Sequence, residues 1–467
     1  MSERARRPLT VIIAAALVGA LLAGGLEARA APTSVGSPGL GDPFFPRAGN
    51  GGYDVRHYRI GLSYTPSSHH LEASVVVTAV AKKDLRRFDL DFRRLRISKL
   101  TVDGDAAAFT RHGQELVITP SSPIAAGKTF EVAVAYAGKP RHVTDPDQSI
   151  EGWVPTKDGA FVADEPQGSP SWFPCNDYPT DKATYLFQVT VPKGLSAVAN
   201  GGLVSKRNHG GKTTFTWRES RPMSTYLATV TTGRFDVSRS KTSTGIPVYD
   251  AVDPTQAAKA NPVLAKLPRI VDFFSSRFGR YPFGTVGAIV DNAPAVGYAL
   301  ETQTKPLFDR APDETTLAHE LSHQWFGDEV TPTSWPNIWL NEGFATWSEW
   351  FWSGHSGGPK ARQIFKKYYA IKASNKEFWN PPPRRVHTPV NLFDGTIYAR
   401  GAMTLQALRE KVGNGVFLRI LRHWVAQHRY GNASTKQFIA LAHKESGVKL
   451  RHFFDVWLYE RGKPKSW

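Results

Sequence analysis

Leu317-Ala-His-Glu-Leu-Ser-His-Gln-Trp-Phe-Gly327 and Trp339-Leu-Asn-Glu-Gly-Phe-Ala345 are the two stretches on which the reading of this chain turns. His319 and His323 are four positions apart, so on a helix they stand on one face, one turn above the other. Asp313 and Glu314 read as the start of that helix and Gly327 as its end. Glu320 is rotated by about 100° from His319, close to whatever the two imidazoles face. A bare His-Glu-x-x-His on a helix can be a polar surface patch. Here Leu317, Leu321, Trp325 and Phe326 make the surroundings apolar, and buried His and Glu need partners. Glu342 follows His323 by nineteen positions, on a second helix predicted over Asn341–Trp352. Two neutral imidazoles and one carboxylate make a three-point site for one Zn2+, with a fourth position open to water. The same donors also accept cobalt or manganese. Glu320 is then placed as general base to a metal-activated water.

Outward from these motifs the pattern divides. From Tyr53 to about Asp236 it alternates or runs β-branched, as in Leu71–Val80, Phe130–Tyr136, Ala183–Val191 and Thr213–Trp217, with turns at Asp103-Gly104 and Asn200-Gly-Gly202. That predicts an all-β sandwich over residues 53–240. After about residue 250 helical periodicity takes over, with further helices predicted over Gly401–Val412, Val416–His428, Thr435–Glu445 and His452–Glu460, and a Pro-rich loop between Pro381 and Asn391. The expectation is a multidomain chain: the sandwich, then an α+β catalytic domain rich in helices over 241–467.

The N-terminus reads as a targeting segment. Arg4, Arg6 and Arg7 precede an apolar run from Thr10 to Leu26, and Ala28-Arg29-Ala30 is a small-residue cleavage site. A cleaved signal peptide over 1–30 is expected, the alternative being an uncleaved anchor. Residues 31–52, rich in Pro, Gly and Ser, read as a flexible leader. The one cysteine, Cys175, allows no intramolecular disulfide and lies far from the cleavage site, so a secreted protein that is not a lipoprotein is expected. The net charge of +17 allows loose attraction to an anionic cell surface. The basic residues are dispersed and no nucleic-acid motif is present, so a nucleic-acid partner is not expected. Asn432-Ala-Ser434 matches a glycosylation sequon and reads as a helix-capping turn.

With these residues in place the chain resembles the aminopeptidase N type of gluzincin metallopeptidases. His319-Glu320-x-x-His323, eighteen intervening residues and the Glu of Asn341-Glu342-Gly-Phe-Ala345 follow that family's pattern. Phe173-Pro-Cys-Asn-Asp177 with Asp181-Lys-Ala183, and Ser224-Thr-Tyr-Leu-Ala228 before Gly233-Arg-Phe, look like its β-domain segments. The resemblance implies a thermolysin-like catalytic domain and an exported zinc aminopeptidase acting on peptides with a free N-terminus. It implies that Tyr398 hydrogen-bonds the oxyanion, that Glu301 binds the substrate α-amine, and that Glu165 supplies a second amine-binding carboxylate. It places Gly297 and Ala299, in the Gly297-Tyr-Ala-Leu-Glu-Thr302 loop, along the substrate. That loop departs from the family's G-x-M-E-N: Tyr298, Leu300 and Thr302 stand at the Gly, Met and Asn positions and reshape the pocket for the first side chain. Asp328 stands where the family commonly has Asn, and no C-terminal helical domain follows Trp467 in this sequence. The alternatives are an endopeptidase, an epoxide-hydrolase-like enzyme, or a non-catalytic surface binding protein.

Overall fold

The computed structural model describes residues 34–467. The expected signal segment lies outside the described residues. No helix among the described residues is long and apolar enough to cross a membrane.

Alternating burial builds the first domain. In the strand His70–Ala81 the residues Leu71, Val75, Val77, Ala79 and Ala81 face inward. That strand pairs antiparallel with Tyr53–Thr65 at the middle of an eight-stranded sheet, and on its other edge Tyr53–Thr65 runs parallel to Lys182–Pro192. A five-stranded sheet that includes Ile150–Pro155, Ala160–Ala163 and Val230–Gly233 covers it. Aromatic rings fill the space between the two layers: Tyr64 meets Trp153 edge-on at 4.9 Å, and Tyr58 meets Phe173 at 5.6 Å. The expected sandwich is present, with a smaller sheet of Phe88–Asp91, Glu115–Thr119 and Ala108–His112 beside it.

The second domain opens on a sheet in the order Asp236–Lys241, Pro247–Val252, Val286–Val290, Leu307–Phe308, Ala299–Leu300. The expected boundary at 240/241 falls inside the first of these strands. That strand pairs forward in the chain, with Pro247–Val252. Two α-helices, α1 Ala257–Leu264 and α2 Leu267–Phe278, fall between the sheet's strands Pro247–Val252 and Val286–Val290, and eight come after it: α3 Glu314–His323, α4 Trp339–His355, α5 Ala361–Tyr369, α6 Lys376–Trp379, α7 Gly395–Val412, α8 Asn414–Gln427, α9 Thr435–Ser446 and α10 Arg451–Phe454. Ser434 caps α9 in a capping box with Gln437, as the capping reading of the sequon requires. The helix expected over His452–Glu460 changes to a wider i→i+5 winding at Asp455–Tyr459. The cause is Arg400. Its buried guanidinium donates to the carbonyls of Trp379, Val456, Trp457, Glu460 and Gly462, and the Val456 oxygen would otherwise serve an α-helical turn.

Residues 34–52 correct the expectation of a flexible leader. Phe45, Ala48 and Asn50 are buried, Val35 bridges Arg87 and Pro38 bridges Asn50. Asp42 Oδ2 accepts from the Tyr178 hydroxyl at 3.1 Å and from the Trp335 backbone N–H at 2.9 Å. The segment is held by backbone bridges, by the side-chain bonds of Asp42 and Asn50, and by Phe45 packing edge-on against Trp335 at 6.3 Å; these contacts have no regular spacing, so it carries no periodicity.

Helices α4 and α7 approach most closely at two glycines. A Cβ on Gly343 would lie 2.9 Å from the Gly401 Cα, and one on Gly401 would lie 2.8 Å from the Gly343 Cα. The obstructing atoms are backbone, which has little room to yield. Gly401→Ala should therefore lower stability by about 1–3 kcal/mol. An unchanged urea midpoint at unchanged m-value would remove the crossing as a constraint.

Candidate active site

Asp313 caps α3 by accepting from the Thr316 N–H, and the helix carries His319, Glu320 and His323 inward. Glu342 lies in the first turn of α4. His319 Nε2 is 3.2 Å and His323 Nε2 3.6 Å from the same oxygen, Glu342 Oε2. The other ring nitrogens are engaged elsewhere: His323 Nδ1 donates to the Phe326 carbonyl at 3.0 Å, and His319 Nδ1 meets Glu349 Oε1 at 2.5 Å. With the protons on both Nδ1 atoms, both Nε2 lone pairs converge on one point beside a carboxylate. All three residues are buried, and their donor atoms lie within 4.8 Å of one another. Two imidazoles and a carboxylate with carboxylate and carbonyl partners behind them fit one zinc ion.

Glu320 is 6% exposed beside this set. Burial pushes its carboxyl up to about 8, against the downward pull of His319 and His323. A dication alongside adds a further downward pull. Tyr398, in the first turns of α7, stacks on the His319 ring at 6.1 Å. Burial, then the nearby Glu342, holds its phenol well above the ordinary value, so it stays a donor.

Glu301 and Glu165 reach the same cleft from different domains. Glu301 follows the edge strand Ala299–Leu300. Gln324, the residue after the second histidine, fixes the loop behind it: its Nε2 donates to the Glu301 carbonyl at 3.3 Å and its Oε1 accepts from the Thr304 N–H at 2.8 Å. Glu165 follows Asp164, whose carboxylate accepts from Ser169 Oγ and Trp172 Nε1, both at 2.9 Å. One oxygen of each glutamate, Oε1, is buried with no hydrogen-bond partner. Burial, and for Glu165 also the neighbouring Glu301, raises both carboxyls. A cationic group placed between them would satisfy both.

A cleft of about 230 Å³ joins these residues, with Ala299, Tyr298, Phe393, Asp147 and Ser149 on its other walls. Of the expected site residues only Gly297 is not brought to it. Gly297 is exposed; at φ +87° it turns the chain into the loop, and its N–H is held by Asp309 Oδ2 at 3.0 Å. Asp328 does not cap α3 through its side chain. Its backbone N–H donates to the His323 carbonyl, while both carboxyl oxygens are buried without partners and burial raises the group. The Lys182 ammonium, from the β-domain, holds this turn through the carbonyls of Asp328 at 2.8 Å and Glu329 at 3.1 Å. Glu349 and Gln324 were not found from the sequence. The signal for Glu349 is its place two turns after Glu342 on one helix face; Gln324 has none beyond adjacency to His323.

A β-sandwich joined to a helical α+β domain, with a buried His-His-Glu set in a cleft at their junction, defines a two-domain zinc metallopeptidase architecture. The Peptidase M1 N-terminal domain matches residues 55–227 and the Peptidase family M1 domain matches 298–457. A two-domain M1 zinc metallopeptidase variant of solved structure is 30% identical, with a TM-score of 0.85 over 91% of this chain and 99% of that one. An M1 zinc metallopeptidase variant from Deinococcus radiodurans, bound to a Tyr-Ser-Ala substrate, is 29% identical with a TM-score of 0.84, covering 92% of this chain and 100% of that one. Aminopeptidase M1 of Arabidopsis thaliana is 29% identical over 66% of this chain and 37% of its own length. Glutamyl aminopeptidase of Rattus norvegicus is 27% identical over 87% of this chain and 47% of its own. The chain thus spans less than half the length of these curated relatives. It belongs to peptidase family M1.

The Glu349 contact generates a prediction. Glu349→Gln removes the negative charge behind His319, and zinc affinity should fall about 10–100-fold. Competition with a chromophoric chelator measures this; an unchanged Kd would mean that the carboxylate does not support the metal ligand.

Proposed function

We propose that the protein is an exported zinc aminopeptidase that removes the first residue from peptides. The observation that carries the proposal is the pair of buried oxygens without a hydrogen bond, Glu165 Oε1 and Glu301 Oε1, in the same cleft as the metal donors. Two carboxylates facing one α-ammonium fix the chain end and bring the first peptide bond to the donors. A peptide without that ammonium would leave two raised, buried carboxyls unmatched.

Bound zinc supplies a Lewis acid and lowers the pKa of an attacking water. The chain's own groups do the rest. Glu320 accepts the proton from the water and hands it to the departing amine. Tyr398 Oη–H donates to the charge that builds on the substrate carbonyl oxygen. Glu165 and Glu301 hold the amine throughout. Export rests on the basic, apolar and small-residue pattern of residues 1–30. N-terminal sequencing of protein recovered outside the cytoplasm should begin near Ala31; recovery with Met1 intact would overturn the cleaved-signal reading.

Unblocked aminoacyl fluorogenic amides should be hydrolysed, with activity lost on chelation and recovered with zinc, while N-acetylated amides should not. Cleavage of the acetylated series would replace the aminopeptidase reading with an endopeptidase. Glu320→Ala should retain zinc and lose on the order of 10²–10⁴ in kcat. Tyr398→Phe should lower kcat by roughly 10²–10³ with little change in KM. Wild-type kcat in either variant would remove that residue from the mechanism.

A further inference from the structure

Five carboxylates line the cleft (Asp147, Glu165, Glu301, Glu320 and Glu342) and no lysine or arginine does. Four of them have work in the reaction described above. Glu342 faces the metal position, Glu320 moves the proton, and Glu165 and Glu301 face the α-ammonium. Asp147 remains. It comes from the connection before the strand Ile150–Pro155, in the β-domain. Its Oδ1 accepts from the Ser149 N–H at 2.9 Å and from the Ser149 hydroxyl at 2.6 Å. The carboxylate is thereby oriented on one oxygen, and Oδ2 has no hydrogen-bond or ion-pair partner among the described residues.

The wall between the amine site and Asp147 is aromatic. Tyr298 lies three residues before Glu301, and its hydroxyl donates to the Ile150 carbonyl at 2.9 Å, next in the chain to Ser149. The ring is thus fixed at both ends and spans from the amine-binding loop to the loop that carries Asp147. Phe393 lines the same cleft. A first side chain leaving a substrate Cα held beside Glu165 and Glu301 would share the cleft with these rings and with Asp147. A long apolar stem with a cationic tip matches both features. The rings cover the methylenes and attract the cation, and the carboxylate receives it.

We infer that Asp147 is a specificity-determining residue that favours peptides beginning with arginine or lysine, through a charge-assisted pair with the guanidinium or ammonium at the end of the first side chain. The inference rests on the aminopeptidase reading and narrows it to a substrate class. The rival role for Asp147 is to shape the turn through its bond to the Ser149 N–H. Asn makes the same turn bond without the charge, so Asp147→Asn separates the two roles.

The test compares arginyl, citrullinyl, lysyl and leucyl fluorogenic amides on the zinc-loaded enzyme and its Asp147→Asn variant. Citrulline has the length and shape of arginine without its charge. The wild type should favour arginyl over citrullinyl amide about tenfold in kcat/KM, the lower range for one charge-assisted contact at a half-exposed site. Asp147→Asn should remove that ratio, mostly through KM. A ratio unchanged by the substitution, or an equal loss on leucyl and arginyl amides, would overturn the inference while leaving the aminopeptidase reading intact. A second readout does not depend on turnover: calorimetric binding of L-arginine and L-citrulline to zinc-loaded Glu320→Ala, with and without Asp147→Asn. Arginine selectivity that disappears with Asp147→Asn supports the role of Asp147 even if no amide is hydrolysed, and equal binding of the two amino acids overturns it.

Discussion

The crossing of α4 and α7 at Gly343 and Gly401 is the constraint on which the site depends. Glu342 immediately precedes the first glycine and Tyr398 lies three positions before the second. The two backbones touch with no side chain between them, so the separation of the backbones that carry the metal ligand and the phenol is set by the thickness of a polypeptide. Arg400 completes the arrangement. It sits between Tyr398 and the glycine, and its bonds to the carbonyls of the last segment of chain hold α7 from the far side. The result is a rigid pairing of elements, as a preorganised site requires.

The electrostatics of the cleft follow from burial. Four imidazole–carboxylate contacts are buried here, one of them His323 Nδ1 to Glu301 Oε1 at 3.8 Å, and Glu165 Oε1 and Glu301 Oε1 have no hydrogen bond, where charge without a partner is costly. A dication at the His-His-Glu point and a monocation between Glu165 and Glu301 supply what the fold leaves unsatisfied. Polar bonds across the domain junction keep these groups in register: Lys182 holds the turn after α3, Tyr226 donates to the Gly327 carbonyl, and Asn200 donates to the Gln303 carbonyl. The β-domain is therefore part of the site rather than an appendage to it, contributing Glu165 directly and the position of Asp328 indirectly.

What the sequence revealed depended on the length scale of each signal. His319, Glu320 and His323 were legible because helical spacing alone places them together, and Glu342 because a second short motif stands at a fixed distance. Strands such as His70–Ala81 were legible because one face is buried and the other is not. Glu349 was missed because its meaning depends on which face of α4 meets α3. Gln324 was missed because its partners lie on a loop some twenty residues upstream, and the approach of Asp147 to the cleft depends on the packing of two domains. The order of residues 34–52 was illegible for another reason: backbone bridges, the side-chain bonds of Asp42 and Asn50, and one buried ring, Phe45, leave no periodic trace. The wider winding after α10 arises from Arg400, a tertiary competitor for helical carbonyls that local propensity does not register.

The Asp42 latch has a kinetic consequence. Its partners, Tyr178 and Trp335, are 136 and 293 positions away in the chain. During synthesis the β-sandwich can assemble early from its own strands, but the contacts of Asp42 and Phe45 with Trp335 cannot form until the segment entering α4 has been made. Such a long-range closure comes late in assembly. Until then the Asp42–Phe45 part of this stretch lacks its cover on the second domain. Docking of the N-terminal segment thus reports that both domains are in place, and protection of residues 34–52 from limited proteolysis would be a marker of the finished molecule.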